Sequence, residues 1–465
     1  MLQLTSQTSG GSDDVGLKMS EVIAALSYAL DLTEGQPEGH SARSCLLGMR
    51  IARELGLGAN DSSALFYALL LKDLGCSTNA SKMCYLFGAS DHDAKRNVKT
   101  VDWTSTLGAA GYAARTVLPG GSLLGKAGKL MQMAISGQKG ARELFSLRCE
   151  RGAKIAHDLQ MPDATSEAIR ALDEHWDGLG HPDGLKGDAI PLLARILGIA
   201  QTVEVFATHF GIDSAYEMAE QRSGTWFDPE LVKALNSFRG DTQFWSTFAG
   251  ENPKQAVTIF EPQDRIMPAD NDSLDRIAYG FAQVIDAKSP WTYKHSEGVS
   301  RIAAGLAATL GMNALEIRTI RRAGLLHDVG KLGVSNLILD KPGKLDANEL
   351  AEMRKHPAWT LQILQQVAGF RNLAEMAASH HERLDGKGYH RGLDASQLNT
   401  SARILVVADM YEALAAQRPY RKDLTEEEVM TILTRNTGDG ICPVVFAALK
   451  TYLAGGGYVP EKVAA

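Results

Sequence analysis

Seven side chains in the C-terminal half are of metal-binding types and stand where helices would aim them inward: His295, His327, Asp328, His356, His380, His381 and Asp409. His295 shares a helical face with Val299, Ile302 and Leu306, His356 with Ile363 and Leu364, and His380 with Leu373, Met376 and Ala377. Asp409 continues the line of Ala402 and Leu405. A polar group aimed at a core is costly unless something satisfies it. One such histidine is more often a hydrogen-bonded core residue than a ligand. Five histidines and two aspartates in one region reverse that preference, because coordination satisfies them together. Adjacent pairs such as His327–Asp328 and His380–His381 diverge by about 100° on a helix, which serves two neighbouring ions better than one. Imidazole and carboxylate ligation without thiolate suits iron, manganese, zinc or nickel.

The elements that must position these groups read as helices almost throughout. Leu274, Ile277, Ala278, Phe281 and Ile285 recur at helical spacing. Capping signatures mark helix starts at Asp346 with Glu349 and at Thr425 with Glu428. Only Gln255–Phe260 alternates like a strand, within a Pro-, Asn-, Asp- and Gln-rich stretch, 251–272, that reads as a linker. The expected fold class is all-α.

The sequence also repeats itself. His295 and the pair His327–Asp328 are mirrored by His40 and Lys72–Asp73 at an offset of 255 residues. ERLDGKGYHRGL (382–393) is mirrored by EHWDGLGHPDGL (174–185), and ARILVVADMYEAL (402–414) by ARILGIAQTVEVF (194–206), both at an offset of 208. The N-terminal copy therefore carries an insertion of 47 residues between Asp73 and Arg148. Its ligand positions have decayed. Lys72 and Arg148 stand where His327 and His356 do, Leu172–Asp173 where the adjacent histidines do, and Gln201 where Asp409 does. Either Lys72 or Arg148 is expected to pair with Asp73, and His157, His175 and His181 have surface or core roles. The division is a lead over 1–15, a degenerate domain over 16–250, the linker, and a catalytic domain over 273–465.

Composition narrows the class. A chain of 465 residues exceeds one ordinary core. Five cysteines without a paired motif read as packed, reduced thiols. No long apolar run predicts a membrane span, and the N-terminus lacks a secretion signal, so the expected location is the cytoplasm, with no membrane partner. A net charge of −7 argues against a long nucleic acid as partner, while a small dianionic ligand needs only local positive charge.

RAGLLHDVGKLG (322–333), KHP (355–357), HHERLDGKGYHRGL (380–393) and DMYEALAAQRPYR (409–421) closely resemble the HD-GYP family of the HD phosphohydrolase superfamily. The resemblance spans about residues 270–450. It implies an all-helical domain whose metal centre hydrolyses cyclic di-GMP or 3′,3′-cyclic GMP-AMP, with the seven residues above as ligands and Asp328 bridging the ions. It further implies that Lys331, Arg418 and Arg421 hold substrate phosphates and that Tyr389 lines the site. Two divalent ions, iron or manganese ahead of zinc or nickel, follow from Trp291, which stands where three-metal members carry a glutamate. His390 replaces the family's motif proline and is expected to face solvent. The competing readings are a nucleotide-binding sensor or scaffold without turnover, and a general HD phosphohydrolase. The N-terminal copy is read as regulatory, with a homodimer or a signalling protein as further partners.

Overall fold

The computed structural model describes residues 18–258, 260, 270–292, 294–416 and 424–458. The lead expected over 1–15 lies outside them. Among the described residues there is no sheet, only isolated bridges such as Asp385 with Asp394, so the all-α expectation holds.

The N-terminal half runs through α1 (Met19–Thr33), α2 (His40–Glu54), α3 (Ala59–Leu71), α4 (Ala80–Phe87), α5 (Asp91–Val98), α6 (Thr106–Thr116), α7 (Leu123–Asp158), α8 (Asp163–Arg170), α9 (Leu192–Phe210), α10 (Ile212–Gln221), α11 (Pro229–Ser237) and α12 (Thr242–Phe248). A short α13 (Pro253–Thr258) follows. The C-terminal half runs through α14 (Asn271–Asp286), α15 (His295–Thr309), α16 (Ala314–Leu326), α17 (Asn336–Leu339), α18 (Ala347–Met353), α19 (His356–Gln366), α20 (Arg371–Ala378), α21 (Thr400–Ala415), α22 (Glu426–Asn436) and α23 (Pro443–Ala454).

The repeat survives as structure. Both ends of α2 and α3 match those of α15 and α16 at the 255-residue offset, and α8 matches α20 at 208. The last turns of α7 match α19, α4 and α5 align with α17 and α18 at 255, and α6 with the first part of α7 fills the insertion. Helix starts follow local chemistry. Asp346 with Glu349 and Thr425 with Glu428 form reciprocal capping boxes, as does Asn313 with Glu316.

The alternation over Gln255–Phe260, of which residue 259 lies outside the described residues, falls in a helix through Thr258 rather than a strand. Pro253 opens α13, a position that suits its fixed torsion, and Val257 is fully buried where that short helix packs on α2. One buried residue per turn satisfies the pattern without a partner strand.

The halves pack reciprocally. α1 crosses to α19 and the turn Val329–Gly333, while α14 crosses to α7. One continuous apolar core runs through both halves, and a small second core forms around Phe87, Tyr112 and Val117, where α4 and α5 meet α6.

Candidate metal centre

The site assembles from helix ends. His295 begins α15, where Asp286, at the end of α14, accepts the Ser296 Oγ–H at 2.6 Å and fixes the start of the helix. His327 and Asp328 terminate α16, and the tight turn Val329–Gly333 brings Lys331 Nζ back to 2.5 Å from Asp328 Oδ2. This turn lies directly on the start of α19. A Cβ on Gly330 would stand 2.0 Å from the His356 carbonyl oxygen, which explains the glycine. Thr360 rivets the contact, accepting the Gly330 N–H at 3.0 Å and donating to the His327 carbonyl at 2.9 Å.

The structure brings all seven candidate ligands together. Asp328 lies between two groups. Its Oδ2 is 3.5 Å from His295 Nε2 and 3.3 Å from His327 Nε2. Its Oδ1 is 3.4 Å from His356 Nε2 and 3.5 Å from His380 Nε2. Asp409 Oδ1 closes the first group, 3.4 Å from His295 Nε2, and its Oδ2 lies 3.8 Å from His381 Nδ1 in the second. His295, His327 and Asp409 thus form one potential three-donor cluster and His356, His380 and His381 another, with Asp328 between them.

Four of the rings are aimed by their other nitrogen. Nδ1 of His327 donates to the Gly324 carbonyl at 2.8 Å, that of His356 to Met353 at 2.7 Å, and that of His380 to Ala377 at 2.6 Å. His295 Nδ1 is held by the Glu412 carboxylate. Such partners fix the tautomer that presents Nε2 to an ion.

Electrostatics point the same way. Burial holds His356 at about 3 and His381 well below the ordinary range, so both stay neutral, the form that ligates. Burial alone would raise Asp328, but His327 and Lys331 beside it hold it well below the usual carboxylate range. His295 is raised despite its burial, because Glu412, Asp328 and Asp409 surround it, so the environment calls for positive charge. His327 Nε2 and Asp328 Oδ1 are buried and make no hydrogen bond. Orphaned polar atoms of this kind need an explanation, and the donor set fits two divalent ions.

Around the centre, the Tyr389 ring packs on His381 with centroids 4.6 Å apart. Glu382, buried beside it, accepts the backbone N–H of Arg391 at 2.8 Å and of Leu393 at 3.0 Å and closes the motif loop. His390 departs from expectation: it is half-buried rather than solvent-facing, its Nε2 lacks a partner, and its backbone is left-handed at φ 100°. Trp291 is 38% exposed on the turn Pro290–Thr292. Arg418 and Arg421 lie outside the described residues. Sequence reasoning missed Glu412 and Glu382, although both are identical in the matched segments, where Glu204 and Glu174 are their counterparts.

The N-terminal copy keeps the scaffold and exchanges metal ligands for ion pairs. Glu204 holds His40 Nδ1, and Glu174 accepts N–H groups of Asp183, Gly184 and Leu185. Lys72 Nζ lies 2.9 Å from His40 Nε2 and contacts Asp73. Arg148 does not reach Asp73 as a partner. It pairs at 3.3 Å with Asp173, which the fold places beside it at the position of His381. The second cation at Asp73 is Lys99, at the end of α5, 3.5 Å away and 2.7 Å from Glu34. His175 and His181 pack against Trp103, while His157 is exposed.

Known proteins resemble this chain over most of its length. The HD domain family matches residues 122–231 and 281–442, so it recognises both copies. The 3′3′-cGAMP-specific phosphodiesterase 3 of Vibrio cholerae serotype O1 is 40% identical over 94% of each chain. A cyclic di-GMP phosphodiesterase response regulator of Xanthomonas campestris pv. campestris is 34% identical over 40% of this chain and 50% of its own. The crystal structure of a cyclic GMP-AMP specific phosphodiesterase of V. cholerae, V-cGAP3, superposes with a TM-score of 0.65 at 36% identity, covering 94% of this chain and 98% of that one. The chain belongs to the HD domain family of hydrolases, as an enzyme of the HD-GYP type.

Proposed function

We propose that the chain is a metal-dependent phosphodiesterase that opens a 3′,5′-linked cyclic dinucleotide to its linear form, with 3′,3′-cyclic GMP-AMP as the first substrate to try and cyclic di-GMP as the second. The observation that carries this reading is the pair of three-donor clusters with Asp328 between them. Two divalent ions bound there, iron or manganese ahead of zinc or nickel, supply Lewis acidity and a water of lowered pKa. Nε2 of His295 and His327 with Asp409 would hold one ion, and His356, His380 and His381 the other. Lys331, partly exposed at the rim, is placed to contact a substrate phosphate once its charge is shared with Asp328. Tyr389 offers a ring face against which the ligand can pack. Arg418 and Arg421 are assigned the remaining phosphate contacts from their place in the RPYR motif.

In this reading residues 273–465 form the catalytic domain, 251–272 the linker and 16–250 a non-catalytic partner domain. The like-for-like relative over 94% of both chains supports 3′,3′-cyclic GMP-AMP over cyclic di-GMP. Among the described residues no helix is long and apolar enough to cross a membrane, and all five cysteines are free and buried, which supports a cytoplasmic enzyme. The test is turnover of both cyclic dinucleotides by anaerobically purified protein supplied with manganese or ferrous iron, beside an Asp328→Ala variant. Linear product from wild type alone supports the reading. Binding of either ligand without turnover under every metal would replace it with a sensor.

A further inference from the structure

The seven ligand positions are not equally open to solvent. The side chains of His295, His327, His356 and His380 are at most 4% exposed, whereas that of His381 is 28% exposed. A ligand therefore reaches the centre most readily beside His381. Tyr389 packs on the His381 ring and so borders this opening. Over Tyr389, in turn, lies the guanidinium of Arg354, its Cζ 5.2 Å from the ring centroid and within the range of a cation–π contact.

Arg354 is tied to the site through its backbone as well. It stands between Met353, whose carbonyl accepts from His356 Nδ1, and Lys355, which precedes the helix that His356 begins. Its charge sets it apart from its neighbours. Arg383 is paired with Asp385 at 2.9 Å, Arg391 with Glu375, and Lys331 with Asp328. Arg354 is exposed and has no carboxylate partner among the described residues. On a plain surface such an arginine would be a packing contact with the ring beneath it. Here that ring rests on a candidate metal ligand.

We propose that Arg354 is a substrate-binding residue that holds the second phosphate of the cyclic dinucleotide, the one the ions do not engage. This inference rests on the cyclic dinucleotide reading above. Such a ligand carries two phosphodiesters, and the ions neutralise the one under attack. The other remains an anion and needs a cation of its own outside the metal clusters. A guanidinium suits it, since its planar fork offers two parallel N–H donors to phosphate oxygens. Resting on Tyr389, it has less freedom to lose on binding than a lysine on its flexible stem. Arg354 thus joins the contacts assigned to Lys331, Arg418 and Arg421, and it is the one that takes its place from Tyr389.

The experiment compares full-length wild type, Arg354→Ala and Arg354→Lys, each supplied with manganese, on 3′,3′-cyclic GMP-AMP and cyclic di-GMP. Arg354→Ala should raise KM about tenfold, the size of one charge-assisted contact in a partly wet site. The loss should fall on KM rather than kcat, with metal content and melting temperature unchanged because the side chain is exposed. Arg354→Lys keeps the charge without the planar fork and should recover only part of the loss. The rise of KM with salt should be shallower in Arg354→Ala than in wild type, a difference that a merely structural role does not produce. An unchanged KM, a loss of bound metal, or parallel salt responses would overturn the proposal. So would inhibition by guanosine that weakens as much as dinucleotide binding does, since that moves the contact from phosphate to base. Failure of wild type to bind either dinucleotide removes the cyclic dinucleotide reading and this inference with it. Turnover by wild type with an unaltered KM in Arg354→Ala removes this inference alone.

Discussion

Asp91 and Asn336, 245 residues apart, meet across the two halves of the molecule: the Asp91 carboxylate accepts the Asn336 backbone N–H at 2.9 Å. The same carboxylate accepts the Ser335 Oγ–H at 3.1 Å and faces Lys288 Nζ at 3.3 Å, with Lys288 only 1% exposed. The start of α5 therefore holds the segment that follows the turn Val329–Gly333.

Replacing Asp91 with Asn should keep much of the hydrogen bonding and leave Lys288 buried without its counter-ion, at about 3 kcal/mol or more. The effect has a pH signature. Burial alone would raise the Asp91 carboxyl, but Lys288, His92 and Lys95 hold it well below its ordinary value. A depressed carboxylate stabilises above its unfolded pKa, near 4, and that contribution is lost as pH falls toward the folded value. Urea midpoints of wild type should drop steeply below about pH 4, and those of Asp91→Asn should drop less. Parallel curves would remove the charge argument.

Asp328 lies between both clusters, so its loss should empty both. Metal analysis of Asp328→Ala is expected to read near zero per chain rather than half of wild type, with turnover down by at least about 10³-fold. Retention of one ion would mean that the two clusters fill independently.

Glu412 is outside both donor clusters; it aims His295. Glu412→Gln should lower metal affinity about 10- to 100-fold, readable by competition with a coloured chelator. Glu204→Gln alters the same bond to His40 in the N-terminal copy and should leave metal content unchanged. An equal effect of both variants would show a general loss of stability instead.

His390 cannot be returned to the family's proline in its present conformation. Its φ of 100° is far from the roughly −65° that a proline ring imposes. His390→Pro should lower the melting temperature or displace the loop that Glu382 holds. His390→Gly relieves the left-handed backbone and should raise stability by up to about 1 kcal/mol. Thermal unfolding of the two variants decides it, with a stabilising proline as the result that would refute the assignment.

The ligand positions were readable because each histidine extends an apolar stripe, and a polar residue on a core face stands out against periodicity. Helix starts at Asp346 and Thr425 were readable because capping is local. Glu412 and Glu382 were not, since a lone glutamate on a helix or in a loop looks solvated until the fold buries it against a ring or a row of N–H groups. Pairing across the chain was hardest. Either Lys72 or Arg148 was expected at Asp73; Lys72 takes that place while Arg148 pairs with Asp173, a choice that depends on side-chain reach inside the assembled core, where Lys99 supplies a second cation to Asp73. The strand expected at Gln255–Phe260 failed for a related reason, as six residues of alternation also describe a short helix with one face down.

The three cations and three carboxylates that fill the corresponding place in the N-terminal copy, Lys72, Lys99 and Arg148 with Glu34, Asp73 and Asp173, also limit how that place can change. Restoring histidine at 72 alone would strip Asp73 of one counter-ion while Lys99 still blocks an incoming dication. Restoring it at 148 alone would strand Asp173. Each single reversion passes through an unmatched buried charge worth about 3–5 kcal/mol, a large part of the 5–15 kcal/mol that holds a typical domain together. A return to metal ligands at these positions therefore calls for coordinated substitutions rather than single ones.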